Sequence, residues 1–160
     1  MEHRIERISK KILVGMKLKM SYIENTTALL WRSFMRIRNK VLNRVDNKYY
    51  SMQVYNDIFD YRSFDPSKKF TKWAAVEVSS VENLASEMET YKLSGGIYAV
   101  FKHIGPASAF EKSMKYIFEE WMPQSGYKID NREHFELLEE GYNPMDESAK
   151  EEIWIPVVKC

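Results

Sequence analysis

Residues 152–159 read Glu-Ile-Trp-Ile-Pro-Val-Val-Lys, and two kinds of side chain alternate along them. The aliphatic set consists of Ile153, Ile155 and Val157, and the opposing set consists of Glu152, Trp154 and Pro156. Because successive side chains of a β-strand point to opposite sides, this stretch is predicted to be a strand. Its aliphatic side is expected to pack under helices, while its other side carries a carboxylate beside an indole ring.

Two earlier stretches, residues 73–78 and 97–101, alternate in the same way. Trp73, Ala75 and Glu77 oppose an aliphatic set in the first, and Tyr98 and Val100 do so in the second. The same logic, applied to the shorter strands, adds Gln53, Tyr55, Glu136 and Leu138 to this side. The predicted aromatic face therefore combines rings with carboxylates, namely Trp73, Tyr98, Trp154, Tyr55, Glu77, Glu136 and Glu152.

The order of elements along the chain repeats once. A strand at residues 11–20 is followed by a helix whose apolar positions recur every three or four residues, and then by β-rich runs at 49–55 and 70–79. A run at 88–104, broken by Ser94-Gly95-Gly96, is followed by a helix from Pro106 to Pro123 and by strands at 134–140 and 152–159. Trp73 and Trp154 lie in the last strands of the two halves.

This pattern predicts one α+β domain over residues 1–160, built from half-modules at about 1–84 and 85–160. Each half is a β-α-β-β module, and the two are expected to be related by a pseudo-twofold. The sheets are expected to be antiparallel, with helices on one side and a ligand cleft between the modules.

Composition excludes several classes of function. The net charge is only +1. Residues 1–50 hold 12 Lys/Arg against 4 Asp/Glu, and residues 51–160 hold 12 against 19. Solvated faces explain this uneven distribution, so we expect no direct nucleic-acid binding. Cys160 is the sole cysteine, so no internal disulfide forms, and no set of Cys and His reaches the count of a metal site. We therefore expect no metal and no cofactor. The charged N-terminus and the short apolar runs predict no signal peptide, no membrane span and a cytoplasmic location.

The aromatic face is typical of a small-molecule pocket, since such pockets are mostly apolar with a few polar groups. A carboxylate among aromatic rings suits a cation, because each ring contributes about 0.5–2 kcal/mol of cation–π attraction. Partial desolvation would also raise the pKa of an unliganded Glu and make it a proton donor or base. Two alternatives stay open: the carboxylates could be solvated edge positions, and the aromatic residues could form a Tyr-rich core.

Four stretches resemble the GyrI-like family of small-molecule-binding domains, which includes the effector-binding domains of AraC-type and MerR-type bacterial regulators. They are Gly-Ile-Tyr-Ala-Val-Phe-Lys-His-Ile-Gly at 96–105, Tyr-Ile-Phe-Glu-Glu-Trp-Met-Pro at 116–123, Phe135-Glu136, and Glu-Ile-Trp-Ile-Pro-Val at 152–157. Residues 51–55 and 70–78 of the first half are similar to the stand-alone branch of the same family.

The resemblance implies that the Glu of the terminal Glu-x-aromatic-x-Pro strand faces the cleft, which is Glu152 here, with Trp154 beside it. In the regulators such a glutamate meets lipophilic cations. Some stand-alone members hydrolyse strained or electrophilic molecules with a pocket Glu and Tyr, which would correspond to Glu152 and to Tyr98 or Tyr55. The regulators carry a helix-turn-helix domain before this one, whereas this chain starts with a strand, so we expect no DNA-binding domain of its own.

The leading hypothesis is binding of a small amphipathic or cationic aromatic ligand, as a drug sensor or a sequestering protein. The alternative is a small-molecule hydrolase in which Glu152 acts as general base with a Tyr. A third class is binding of a protein partner through the eight carboxylates between residues 133 and 152, although a solvated acidic surface is the interpretation that we prefer for them.

Overall fold

The computed structural model describes all 160 residues, as nine strands and two main helices. The strands are β1 (His3–Ile8), β2 (Lys11–Met20), β3 (Tyr49–Val54), β4 (Phe70–Val78), β5 (Glu89–Leu93), β6 (Gly96–Ile104), β7 (Tyr127–Ile129), β8 (His134–Leu138) and β9 (Lys150–Lys159). Helix α1 spans Thr27–Ile37. Helix α2 (Phe110–Lys115) continues as a π-helical segment (Tyr116–Trp121) and a last turn (Met122–Gln124). Neither helix is long and apolar enough to cross a membrane.

The predicted α+β class with antiparallel strands is confirmed. The strands form one sheet in the order β1-β6-β9-β8-β3-β4-β2-β5, and β7 pairs with the end of β9. Strands β1 and β7 were not predicted. Half of the residues of β1 are charged, and its strand character comes from pairing along its whole length with the first part of β6.

The two predicted halves meet where β3 pairs with β8. Outward from this pair, strands β3, β4 and β2 of the first half follow one another as β8, β9 and β6 do in the second. Met52 lies opposite Phe135, Trp73 lies opposite Met52, and Trp154 lies opposite Phe135. The two tryptophans thus occupy equivalent register positions. The first strand of each half, however, lies in the other half, because β1 pairs with β6 and β5 pairs with β2.

Short links force this sheet to curl. Strands β1 and β2 lie near opposite ends of the sheet, yet only Ser9 and Lys10 separate them along the chain. Strands β5 and β6 are likewise joined across the sheet by Ser94 and Gly95. A two-residue link spans only about 10 Å when fully extended. The ends of the sheet must therefore approach each other, which creates an inner face and an outer face.

The inner face holds one hydrophobic core and the outer face holds two. The inner core consists of Leu13, Tyr50, Met52, Trp73, Ala75, Leu93, Tyr98, Val100, Phe135 and Trp154. On the outer face, Leu30 and Phe34 of α1 pack on β2 and β4. Ile117 and Phe118 of the π-helical segment pack on Ile153, Ile155 and Val157. The predicted contact between the aliphatic sets and the helices is confirmed.

One part of the face assignment is wrong. Gln53, Tyr55, Glu136 and Leu138 lie on the outer face, since Tyr55 and Leu138 pack against the core under α1 and Glu136 contacts Lys72. The inner residues of β3 and β8 are instead Tyr50, Met52, Phe135 and Leu137. Both strands carry large side chains on both sides, so alternation separated the two sets correctly but could not show which set faced inward.

Gly15 permits the close approach of β2 to β4. A Cβ placed there would lie 2.0 Å from the carbonyl oxygen of Ala74 and 2.7 Å from Cα of Ala75. Backbone atoms of a central strand cannot move aside as a flexible side chain can, so a residue without a side chain is required at this close approach.

We predict that Gly15→Ala destabilises the fold by about 2–4 kcal/mol, because the added methyl group overlaps the neighbouring strand. Urea unfolding measures this. Gly141→Asn is the control: its φ is 82°, nothing lies within 4 Å of an added Cβ, and Asn tolerates left-handed backbone. Equal stability of Gly15→Ala and the parent would contradict the tight strand contact.

Candidate functional site

The inner face brings together the rings that the sequence placed there. Trp73, Tyr98 and Trp154 are 4%, 0% and 5% exposed. Phe135 stacks on Trp154 with ring centroids 5.1 Å apart, and Tyr98 meets Trp154 edge-on at 5.7 Å. These rings fill the curl of the sheet with their own atoms. The inner face is therefore a packed aromatic core.

Glu152 and Glu77 lie at the rim of this core and are paired with cations of the chain itself. Glu152 Oε2 accepts a hydrogen bond of 2.7 Å from Arg4, whose guanidinium lies 5.5 Å from the centroid of the Trp154 ring. Glu77 pairs with Lys11 at 3.3 Å. Burial alone would raise the pKa of Glu152, but hydrogen bonds from Arg4 and the Trp154 indole, with the charge of Arg4, bring this pKa below its usual value. Arg4 already occupies the cation position that the sequence pattern suggested.

A second constellation, which we call the polar seam, lies on the outer face between the cores under α1 and α2. It consists of Gln53 (β3), Lys72 (β4), His134 and Glu136 (β8) and Glu151 (β9). Lys72 is 5% exposed and Glu151 is 8% exposed. Lys72 Nζ lies 3.6 Å from Glu136 Oε1, which also accepts a hydrogen bond of 2.9 Å from Gln53. Two carboxylates and one ammonium group are thus held near the join between the halves.

Burial dominates the electrostatics of the seam. It raises the pKa of Glu151 to about 7, helped by the negative charge of Glu136 and opposed by Tyr142 and Lys72. Burial likewise lowers the pKa of Lys72, against the attraction of Glu136 and Glu151. Burial and the charge of Arg132 lower the pKa of His134 to about 3, so this imidazole is neutral at physiological pH. Carboxyl groups with pKa values raised in this way are characteristic of functional sites.

Residues 55–69, which we call the roof loop, contain neither helix nor strand and extend over one part of the seam. Tyr55 and Phe59 contact the ring of His134 edge-on at 5.1 and 5.5 Å. Tyr61 stacks on Phe118 of the π-helical segment, with ring centroids 5.2 Å apart. An irregular loop of this length inside a small domain is usually a lid or a binding loop.

Other polar contacts tie the surroundings of the seam together. The Tyr22 and Tyr55 hydroxyls lie 2.6 Å apart. The Trp31 indole of α1 donates to Ser51 Oγ at 3.3 Å. The Tyr142 hydroxyl, in the connection before β9, faces Glu151. The seam is therefore bordered by aromatic side chains from α1, from the roof loop and from the connection between β8 and β9.

A cavity of about 330 Å³ opens within the roof loop. The rings of Tyr55, Phe59 and Phe64 and the side chain of Ile58 form the apolar part of its lining. The polar part includes Asp57, Asp60, Asp65, Lys68 and Lys69. Since Tyr55 and Phe59 also contact the seam residue His134, the cavity lies next to the seam.

The seven predicted site residues divide between these places. Trp73, Tyr98 and Trp154 meet in the inner core, Glu77 and Glu152 lie at its rim, and Tyr55 and Glu136 belong to the seam and its roof. Sequence reasoning missed Lys72, Glu151 and Tyr142. For two of them a signal existed, because Lys72 and Glu151 are charged residues on the otherwise aliphatic side of alternating strands.

The sequence matches the family described as the GyrI-like small molecule binding domain over residues 1–158. The chain therefore belongs to this family, as its motifs predicted. No curated protein matches the sequence significantly.

Solved structures share the fold. SAV2435 bound to tetraphenylphosphonium superposes with a TM-score of 0.74 at 19% identity, over 99% of this chain and 94% of that one. EcmrR in a complex with DNA gives a TM-score of 0.74 at 14% identity, over 99% of this chain and 58% of that one. A hydrolase encoded by lin2189 from Listeria innocua gives 0.60 at 14% identity, over 98% and 92%.

We predict that Glu151→Gln flattens the dependence of stability on pH. The unfolded chain ionises this carboxyl near pH 4.5, but the folded chain does so only near pH 7. The stabilisation is therefore complete below pH 4.5 and is lost as the pH rises through 7. The raised pKa corresponds to about 3 kcal/mol, measured by urea unfolding at about pH 5 and about pH 8.

Glu152→Gln is the matched control on the opposite side of the same strand. The pKa of Glu152 is lowered, so its contribution is present above the unfolded-state pKa and is lost as the pH falls. A Glu151→Gln variant whose stability follows the pH profile of the parent would contradict the buried environment of Glu151.

Proposed function

We propose that this protein binds a small aromatic cation in the polar seam, with Glu136 and Glu151 facing the positive charge and the roof loop covering the ligand. The observation that carries the proposal is a pair of carboxylates, the buried Glu151 and the partly buried Glu136, set against a single ammonium group and bordered by aromatic rings. Such a role is that of a drug sensor or of a sequestering protein.

A bound cation would stabilise the carboxylates of the seam more than it would stabilise Glu152 or Glu77 at the rim of the inner core. Glu152 and Glu77 already have partners, Arg4 and Lys11. Glu151 is paired with no cation directly and lies close enough to Glu136 for the negative charge of Glu136 to raise its pKa. A cation that enters the seam satisfies this charge in a poorly hydrated place, where attraction is stronger than in water. Rings at the border add cation–π attraction.

Access to the seam requires the roof loop to move. The loop is held by ring contacts and by the Tyr22–Tyr55 hydroxyl contact rather than by strand pairing. Segments with few backbone hydrogen bonds open at low free-energy cost. The cavity beside Tyr55 and Phe59 supplies space next to the seam, so rotation of these two rings would join the two volumes.

Two comparisons support the class of ligand and of role. SAV2435, which shares the fold, is bound to tetraphenylphosphonium, an aromatic cation. EcmrR, which shares the fold over 58% of its own chain, is described in a complex with DNA. From SAV2435 we extend the ligand class, an aromatic cation, to this chain. From EcmrR we extend a relationship to regulators.

Calorimetric titration with tetraphenylphosphonium tests the proposal. We expect Glu151→Gln and Glu136→Gln to weaken binding by about 10- to 100-fold, because each removes a charged partner worth roughly 1.5–3 kcal/mol. Glu152→Gln is the control, since it neutralises the adjacent residue on the inner face. It should bind as the parent does.

The opposite pattern would overturn the proposed location. If Glu152→Gln loses binding while Glu151→Gln keeps it, the ligand displaces Arg4 at the rim of the inner core. Phe59→Ala should weaken binding less than the two seam variants and should accelerate association, because it removes a ring of the roof. Thermal unfolding of each variant shows that the fold is retained.

A second candidate function is hydrolysis of a strained electrophile. The observation that favours it is Glu151, whose pKa of about 7 suits a general base, facing the Tyr142 hydroxyl. The Glu151 carboxylate would take a proton from water as the water oxygen attacks a ring carbon of an epoxide. In the same step the ring C–O bond would break and Tyr142 would protonate the departing oxygen, after which protonated Glu151 would return its proton to the Tyr142 phenolate. The fold shared with a hydrolase of Listeria innocua adds support.

Incubation with styrene oxide, followed by chromatography of the diol, tests this candidate. If it holds, Glu151→Gln and Tyr142→Phe should each reduce diol formation by about 100-fold, the usual contribution of a positioned acid or base. Diol formation by the parent at the rate of buffer alone would leave binding as the function of the seam.

A further inference from the structure

Lys72 is an unusual residue for its position. Its neighbours on the outer side of β4 are Phe70, Ala74 and Val76, all of which belong to the core under α1. A lysine buried to this extent is costly unless a charged partner compensates for it. Glu136 is that partner, at 3.6 Å, and Glu151 adds a weaker attraction.

The charges that face Lys72 can be counted element by element. Strand β3 contributes the neutral Gln53 and Ser51, and β8 contributes Glu136 with a neutral His134. Strand β9 contributes Glu151. The remaining groups are uncharged tyrosine hydroxyls, whose pKa values burial raises, namely Tyr22, Tyr55 and Tyr142. With both carboxyls ionised, the seam therefore holds an excess of one negative charge.

We propose that Lys72 determines the charge of the ligand: it fills one of two cation positions in the seam, so that the site accepts a monocation and discriminates against a dication. This inference rests on the proposed function and specifies the ligand class of the same site. Lys72 would act as a specificity-determining residue, because it supplies the first positive charge and leaves one negative charge for the ligand.

The free and bound states follow from this count. Without ligand, the raised pKa of Glu151 keeps its carboxyl protonated below about pH 7, and a monocation takes the place of that proton. A dication would bring one positive charge more than the seam can neutralise, and an unpaired buried charge is strongly unfavourable. Removal of the Lys72 ammonium group opens the second cation position and makes the dication the better match.

Two ligands of nearly equal size separate charge from shape: N-methyl-4,4′-bipyridinium, a monocation, and N,N′-dimethyl-4,4′-bipyridinium, a dication. Calorimetric titration near pH 8 gives the affinity ratio of the two for each variant. We expect the parent to prefer the monocation by about tenfold or more, and Lys72→Met to shift the ratio toward the dication by about tenfold or more. Lys72→Arg is the control, because it keeps the charge and should keep the preference.

The outcomes are distinct. An equal ratio in the parent and in Lys72→Met overturns the role of Lys72, even though both ligands bind. If the parent binds neither ligand nor tetraphenylphosphonium, the proposed function itself fails. If Lys72→Met does not fold, Gln53→Glu raises the excess to two negative charges with the ion pair intact. The Gln53→Glu variant must shift the affinity ratio of the two ligands toward the dication. An unchanged affinity ratio overturns the inference.

Discussion

Two links of two residues each determine the form of this protein. Because Ser9-Lys10 and Ser94-Gly95 join strands near opposite ends of the sheet, the sheet cannot be flat. Its curl creates an inner face, closed by stacked rings, and an outer face on which two helices pack at a distance from each other. The outer side of the central strands is left between those helices, and this is where the buried charges lie. The curl thus separates the part of the sheet that stabilises the fold from the part suited to a ligand.

The sequence predicted the fold class because its longest strands are unambiguous. In β9 and β4 an aliphatic set opposes a mixed set, and both sets lie where alternation predicted. The shorter strands β3 and β8 carry Tyr49 beside Tyr50 and His134 beside Phe135, so neither side is clearly the apolar one. Their orientation follows from pairing with β4 and β9, which is a property of the whole sheet. That is why Tyr55 and Glu136 were assigned to the wrong face.

The location of the candidate site could not be predicted from any single strand, because it depends on how the strands pair. Glu152 and Trp154 satisfy the pattern of a cation site, but Arg4, 148 residues away in sequence, fills that position through the pairing of β1 with β6. Conversely, Lys72 and Glu151 violate the alternation of their strands, and their contacts become visible only when β4, β3, β8 and β9 lie side by side. Residues that break a local rule without an evident local reason are often functional. Here the residues that break the rule, Lys72 and Glu151, lie together in the polar seam.

The exchange of first strands has a consequence for how such a chain could arise. Strand β1 completes the sheet of the second half and β5 completes that of the first, so neither half has its full set of strands within its own residues. A chain of one half alone would have to obtain the missing strand from another molecule. Two copies that traded first strands would rebuild the same strand order as a swapped homodimer. In such a dimer the central β3–β8 pair would become the contact between identical subunits, and fusion of the two genes would turn it into the interior of a single chain.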